Sequence, residues 1–136
     1  MPDARETFEA MCDGWLGGPV SFDDLLAEDA VVETPFSPPG HPRRFDGKAE
    51  FVAFAERTRG ELPIRFDECR NVTVHETTDP DRIVVEYELA GTVLPAGQSA
   101  SAAFIGVLRV RDGRITHWRE YQNTLAITEF LGGLPS

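Results

Sequence analysis

Three carboxylates set among aromatic residues are the positions whose types and spacing could do chemistry. Glu120 stands in Trp118-Arg-Glu-Tyr-Gln-Asn123, and Glu86 and Glu88 flank Tyr87 in Val84-Val-Glu-Tyr-Glu88. A carboxyl group among aromatic rings on a concave surface is what a small-molecule pocket with acid/base capacity needs, because an apolar wall favours the protonated acid. The other reactive side chains are scattered. His41, His75 and His117 share no ligand spacing, and Cys12 and Cys69 are far apart, which reads as two buried reduced thiols rather than a disulfide or a metal pair. No zinc spacing, phosphate loop, dinucleotide fingerprint or nucleophile elbow occurs, so neither metal nor cofactor is expected.

Whether Glu120 reaches such a surface depends on the hairpin that carries it. Two runs of extended-type residues, Phe104 to Val110 and Arg114 to Gln122, flank Arg111-Asp112-Gly113. Asp-Gly can form a two-residue type I′ turn, or Arg-Asp-Gly a three-residue turn with Gly113 in a bulge. The bulged turn is preferred. It pairs Val110 with Arg114, Gly106 with Trp118, Phe104 with Glu120 and Ala102 with Gln122, so small residues face large ones on one surface. Ile105, Val107, Ile115 and Tyr121 then occupy the outer face, a partly apolar surface suited to a homodimer. A two-residue turn would reverse the direction of Glu120.

The preceding elements would supply the walls. Asp3 and Glu6 open an amphipathic helix with Phe8, Met11, Cys12, Trp15 and Leu16 at helical spacing, ended by Gly17-Gly18-Pro19. Trp15 reads first as core packing and, if the helix roofs a pocket, also as ligand contact. Ser21 with Asp24 starts a short second helix, Ala30 to Phe36 is a short strand stopped by proline, and 37–42 is a stiff loop. Asp46 can cap a third helix from Gly47 to about Thr58, with Phe51, Phe54, Ala55 and Thr58 on one face. Ile64 to Val74 is a strand region interrupted around Asp67 to Asn71. Arg82 to Leu89 is a strand, and Gly91 to Gln98 a flexible connection. Leu125, Ile127, Phe130 and Leu131 suggest a short terminal helix. Alternation on Arg82 to Leu89 puts Glu86 and Glu88 on one face and Val85, Tyr87 and Leu89 on the other, which by itself turns the two acids to water.

At 136 residues the chain (1–136) reads as a single domain, large enough to bury roughly 68% of its unfolded surface. Its 23 acidic and 13 basic residues leave a formal charge of -10, which repels a phosphate backbone and argues against nucleic acid as a partner. No apolar run is long enough to span a bilayer or to serve as a secretory signal, and the expectation is a soluble, cytoplasmic protein with no membrane partner. Helices followed by long strands predict an α+β domain, a curved antiparallel sheet with N-terminal helices on its concave face.

This order, with Ala30-Val-Val-Glu-Thr-Pro35, Gly47-Lys-Ala-Glu-Phe-Val-Ala-Phe54, Val84 to Glu88, Val110 to Ile115 and Arg119 to Ala126, resembles the SnoaL-like, ketosteroid isomerase-like branch of the nuclear transport factor 2-like superfamily. The resemblance implies a cone-shaped α+β fold, frequent dimerisation through the sheet, and chemistry ranging over polyketide cyclases, ketosteroid isomerases and limonene-epoxide hydrolases. Residue by residue, the steroid isomerases' catalytic aspartate would fall on Thr34, their oxyanion-hole acid on Gly106, and their first-helix tyrosine has no counterpart. The epoxide hydrolases' Trp-Arg-Asp-Tyr looks like Trp118-Arg119-Glu120-Tyr121, and their Arg-x-Asp would fall on Glu86-Tyr87-Glu88, which sets an inward placement of the two acids level with the outward one. The cyclases' acid/base aspartate would correspond to Glu120.

The resemblance thus implies a cofactor-independent acid/base enzyme for a hydrophobic, carbonyl-containing small molecule. Glu120 would act with Glu86 or Glu88, Trp118, Phe104, Trp15, Phe36 and Phe54 would be walls, and Gln122 and Asn123 would orient substrate oxygen. The alternatives are a non-catalytic binder of a similar ligand and a dimerising interaction module.

Overall fold

A computed structural model describes residues 1–58, 64–94 and 97–127 of the chain. Local side-chain chemistry sets the first elements. Asp3 accepts the Glu6 backbone N–H at 2.8 Å while the Glu6 carboxylate accepts the Asp3 N–H at 3.3 Å, and this reciprocal cap starts helix α1, Ala4–Trp15. Ser21 and Asp24 repeat the device for the single turn α2, Phe22–Leu25. Strands β1 (Leu26–Glu33) and β2 (Arg44–Asp46) follow, then α3 (Lys48–Thr58), β3 (Ile64–Glu76), β4 (Arg82–Val93), β5 (Gln98–Arg111) and β6 (Arg114–Gln122).

The strands form one curved sheet in the order β2-β1-β6-β5-β4-β3, with the helices grouped against one face, as the α+β reading anticipates. One pair, β1 with β6, runs parallel, and the others are antiparallel. Strand β2 escapes sequence analysis because three residues after a proline-rich loop are too few to establish an alternation. β4 runs on to Val93, through residues read as connection; residues 95 and 96, and Phe130 and Leu131 of the expected terminal helix, lie outside the described residues. The interruption read at Asp67 to Asn71 is real. It appears as two register shifts within a continuous β3, with Asn71 in the left-handed region at φ 55°.

The hairpin differs from expectation in an instructive way. Asp112 (φ 53°) and Gly113 (φ 74°) make a two-residue turn with both central residues left-handed, and Arg111 pairs with Arg114. Such a turn alone would point Glu120 outward. A bulge at Thr116, between the pairs Val110–Ile115 and Arg109–His117, inserts one extra residue and restores the parity. Its hydroxyl donates to the Arg109 carbonyl at 3.2 Å. The pairs are consequently shifted: Gly106 faces Glu120, Phe104 faces Gln122 and Leu108 faces Trp118. Ile115, on the turn side of the bulge, is fully buried in the core instead of on the outer face.

The core lies between helices and sheet. Phe8 and Met11 of α1 meet Leu26, Ala30 and Val32 of β1, Val85 and Tyr87 of β4, and Leu108, Ile115 and Trp118 of the hairpin. Gly106 makes room for the largest of these, since a Cβ at that position would stand 2.1 Å from the indole Cη2 of Trp118. Overpacking of this kind typically costs about 1–3 kcal/mol. The Gly106→Ala variant is therefore expected to lose stability by roughly that amount in urea unfolding, with a shifted tryptophan emission, and an unchanged midpoint would refute this packing.

Candidate functional site

Adjacent rungs of the sheet assemble the site from β4, β5 and β6. Ile83–Leu108–Trp118, Val85–Gly106–Glu120 and Tyr87–Phe104–Gln122 run side by side on the helix-covered face. The missing side chain at Gly106 lets the Trp118 ring lie beside Glu120. Tyr87 Oη–H and Trp118 Nε1–H both donate to Glu120 Oε2, each at 3.2 Å. Glu120 Oε1 accepts from no described residue.

Aromatic rings pack around the two donors that hold this acid. Tyr87 stacks on Trp15 with centroids 5.5 Å apart and on Phe104 at 5.3 Å, and Phe8 tilts against it at 5.3 Å. Trp15 lies 6.1 Å from Trp118. The first helix thus roofs the acid through Phe8 and Trp15, and Trp15 is core packing and site wall at once. Burial pushes the Glu120 carboxyl above its usual range, and the hydrogen bonds from Trp118 and Tyr87 pull it back only in part. Neither donor is a cation. The Tyr87 phenol is pushed well above its own range by burial first and then by the neighbouring Glu120 charge and hydrogen bond, so it stays a proton-bearing donor at neutral pH.

The other predicted residues distribute unevenly. Gln122 sits on the rung next to Glu120, partly buried. Glu86 and Glu88 lie on the opposite face of the sheet, a correction to the catalytic role beside Glu120 that the resemblance implies and an agreement with strand alternation. Glu86 Oε2 is 2.6 Å from His75 Nε2, and Glu88 pairs with Arg70. They border an open groove of about 430 Å³ at the end of the sheet, whose lining includes Phe36, Ile105, Tyr121 and Asn123 and also reaches Tyr87, Phe104 and Gln122. Phe36, 56% exposed, packs edge-on against Tyr121 at 5.3 Å, away from the Glu120 carboxyl. Asn123 is committed to the backbone, its side chain accepting the Ala126 N–H at 3.1 Å. Phe54 belongs to a second ring cluster with Phe45 at 5.0 Å and His41 at 6.1 Å; Phe45 and Phe51 link it to Phe22, which meets Trp15 and Trp118.

Sequence reasoning placed Tyr87 on the apolar face without giving it a role. The signal was present, a phenol at an otherwise aliphatic strand position, since a buried hydroxyl requires a partner. Thr34, where the steroid isomerases place a catalytic aspartate, donates to the Pro42 carbonyl at 3.2 Å and accepts from Ser37 at 2.6 Å. No described helix is long and apolar enough to cross a membrane.

A curved sheet roofed by helices, with a partly buried acid on its covered face, defines an α+β fold of the nuclear transport factor 2-like kind. The family model described as SnoaL-like domain matches residues 5–118, and the chain belongs to that family. It is 35% identical over 111 residues to an uncharacterised PhzA/B-like protein of Pseudomonas aeruginosa, covering 82% of this chain and 77% of the relative. A crystal structure of an isomerase candidate from Bacillus subtilis superposes with a TM-score of 0.84 at 30% identity, covering 96% of this chain and 94% of that one. The Δ5-3-ketosteroid isomerase of a Mycobacterium species superposes with a TM-score of 0.71 at 26% identity, covering 90% and 95%.

The electrostatics of Glu120 are testable without a substrate. Between its unfolded pKa, about 4.3, and its higher folded pKa, the native state holds a proton that the unfolded chain has lost. Wild-type stability therefore falls as pH rises through that window and stays lowered above it. Glu120→Gln, always neutral, is expected to be more stable than wild type at neutral pH, with the advantage shrinking as pH falls through that window and gone below about pH 4.3, in urea unfolding across pH. Parallel curves would contradict the raised pKa.

Proposed function

We propose that this SnoaL-like protein is a cofactor-independent acid/base enzyme of the isomerase or cyclase kind, acting on a hydrophobic, carbonyl-containing small molecule. The observation that carries the reading is the Glu120 carboxyl, partly buried and held at one oxygen by two neutral donors, Trp118 and Tyr87, whose rings pack against Trp15 and Phe104. A carboxyl whose pKa lies above the usual range is a stronger base once ionised and an available acid when protonated. Tyr87 and Trp118 fix Oε2 and leave Oε1 to meet a carbon acid.

In the proposed step Glu120 Oε1 takes a proton from the carbon next to the substrate carbonyl, leaving an enolate whose oxygen the Gln122 amide orients. Return of the proton at a conjugated carbon completes an isomerisation. Attack of the enolate carbon on a second carbonyl of the same molecule, with the proton delivered to the new alkoxide, completes a ring closure. Both routes balance with Glu120 alone as proton carrier. The family match and the isomerase-type neighbours support the reaction class, and the aromatic walls support an apolar substrate.

A panel of aromatic ketones in deuterated water tests the reading by the rate of α-proton exchange. The wild type is expected to exchange at least one bound ketone well above buffer, and Glu120→Gln to lose about 100-fold to 10,000-fold of that rate while keeping its affinity. Equal rates in the two proteins would remove Glu120 from the chemistry. Ketones bound tightly but never exchanged would make the protein a binding module instead.

A further inference from the structure

Cys12 on α1 and Cys69 on β3, 57 residues apart in sequence, bring their sulfurs to 3.0 Å as free thiols. Their sequence separation suggested two unrelated buried residues; the fold instead makes them partners. Cys69 pairs with Leu89 of β4, an inward-facing core residue, which turns Cys69 toward the helices. Cys12 follows Phe8 by one helical turn and precedes Trp15 by another, so it sits between the two rings that cover Tyr87. Both thiols are only partly buried, within reach of a small reagent.

We infer that Cys12 and Cys69 form a reversible redox site, a dithiol that low-molecular-weight disulfides such as oxidised glutathione convert to an intramolecular disulfide pinning the roof of the Glu120 site to the sheet edge. A disulfide needs its sulfurs at about 2.0 Å, so the pair has about 1 Å to close. The order of reaction follows from the contact. Either sulfur can donate in the contact, but burial and the charges of Asp13 and Glu9, on the helix that carries Cys12, disfavour a thiolate at Cys12. Cys69 is therefore the attacking thiolate.

The exchange balances. Cys69 thiolate attacks one sulfur of the reagent's disulfide and forms a mixed disulfide, expelling one glutathione thiolate, which takes up the proton Cys69 gave to solvent. Cys12, giving up its proton, then attacks the Cys69 sulfur and expels the second glutathione, which takes that proton. Two protein thiols lose two electrons and two protons, and one glutathione disulfide becomes two thiols. The bond closes a loop of 57 residues between α1 and β3, and the constraint falls on the unfolded chain. This inference is independent of whether Glu120 is catalytic, because its readouts are thiols and stability.

The full chain is equilibrated in glutathione buffers of graded redox poise, quenched with acid, and its free thiols are counted in denaturant with peptide mass mapping. The expected result is loss of both thiols together, a cross-link joining the Cys12 and Cys69 peptides, reversal by dithiothreitol, and a melting midpoint raised by on the order of 10 °C in the oxidised form. Cys12→Ser is expected to stop at a glutathione adduct on Cys69, and Cys69→Ser to react far more slowly. Retention of both thiols in fully oxidised glutathione, or adducts on the wild type without a cross-link, would overturn the site. Equal reactivity of the two single variants would overturn the assignment of Cys69 as attacking thiol.

Discussion

One inserted residue decides the chemistry available to this protein. The bulge at Thr116 sits between a two-residue turn that would turn Glu120 to the outer face and a strand that must turn it inward. Because side chains alternate along a strand, a single extra residue exchanges the two faces of everything beyond it. Downstream of Thr116 the indole of Trp118, the carboxyl of Glu120 and the amide of Gln122 all point under the helices, while His117, Arg119 and Tyr121 point away. The Thr116 hydroxyl on the Arg109 carbonyl ties the insertion to the partner strand.

The two faces hold their carboxylates under opposite physical regimes. On the outer face Glu33 accepts from His117 at 2.5 Å, with Arg119 at 3.7 Å and Arg44 at 3.6 Å. The His117 hydrogen bond, with help from those charges, holds its carboxyl below the usual range. Glu86 with His75 and Glu88 with Arg70 are likewise partnered there. Glu120 on the inner face has two neutral donors and, among the described residues, no such neutralisation, so desolvation prevails and its pKa rises. Sites that work at neutral pH are commonly built from such unbalanced groups, whereas balanced ion pairs serve structure or solubility. The face of the sheet, more than the residue type, separates Glu120 from the other strand carboxylates.

The sequence made the class of fold and the composition of the inner face legible, and for a physical reason: both follow from alternation and helical spacing, which are local. Val85, Tyr87 and Leu89 stand where period-two reading puts them, and so do Glu86 and Glu88 when no family analogy is allowed to move them. The hairpin shows the limit. The expected and observed turns place Glu120 on the same face by different routes, and only the coordinates show the compensating bulge, because Thr116 is an unremarkable strand residue by type. Contacts between distant segments were not legible at all. The Cys12–Cys69 approach depends on how α1 settles on β3, and the Tyr87–Glu120 hydrogen bond on the register of β4, β5 and β6, which no local pattern encodes.

The account turns on the protonation of one carboxyl group. A carbon-13 NMR titration of the Glu120 side chain, assigned by comparison with Glu120→Gln, reads it directly. The predicted result is a midpoint above the ordinary glutamate value of about 4.3, with Glu33 in the same spectra titrating below it. A Glu120 midpoint at or under that value would mean that the acid is solvated or neutralised, and the acid/base reading of the site would fall.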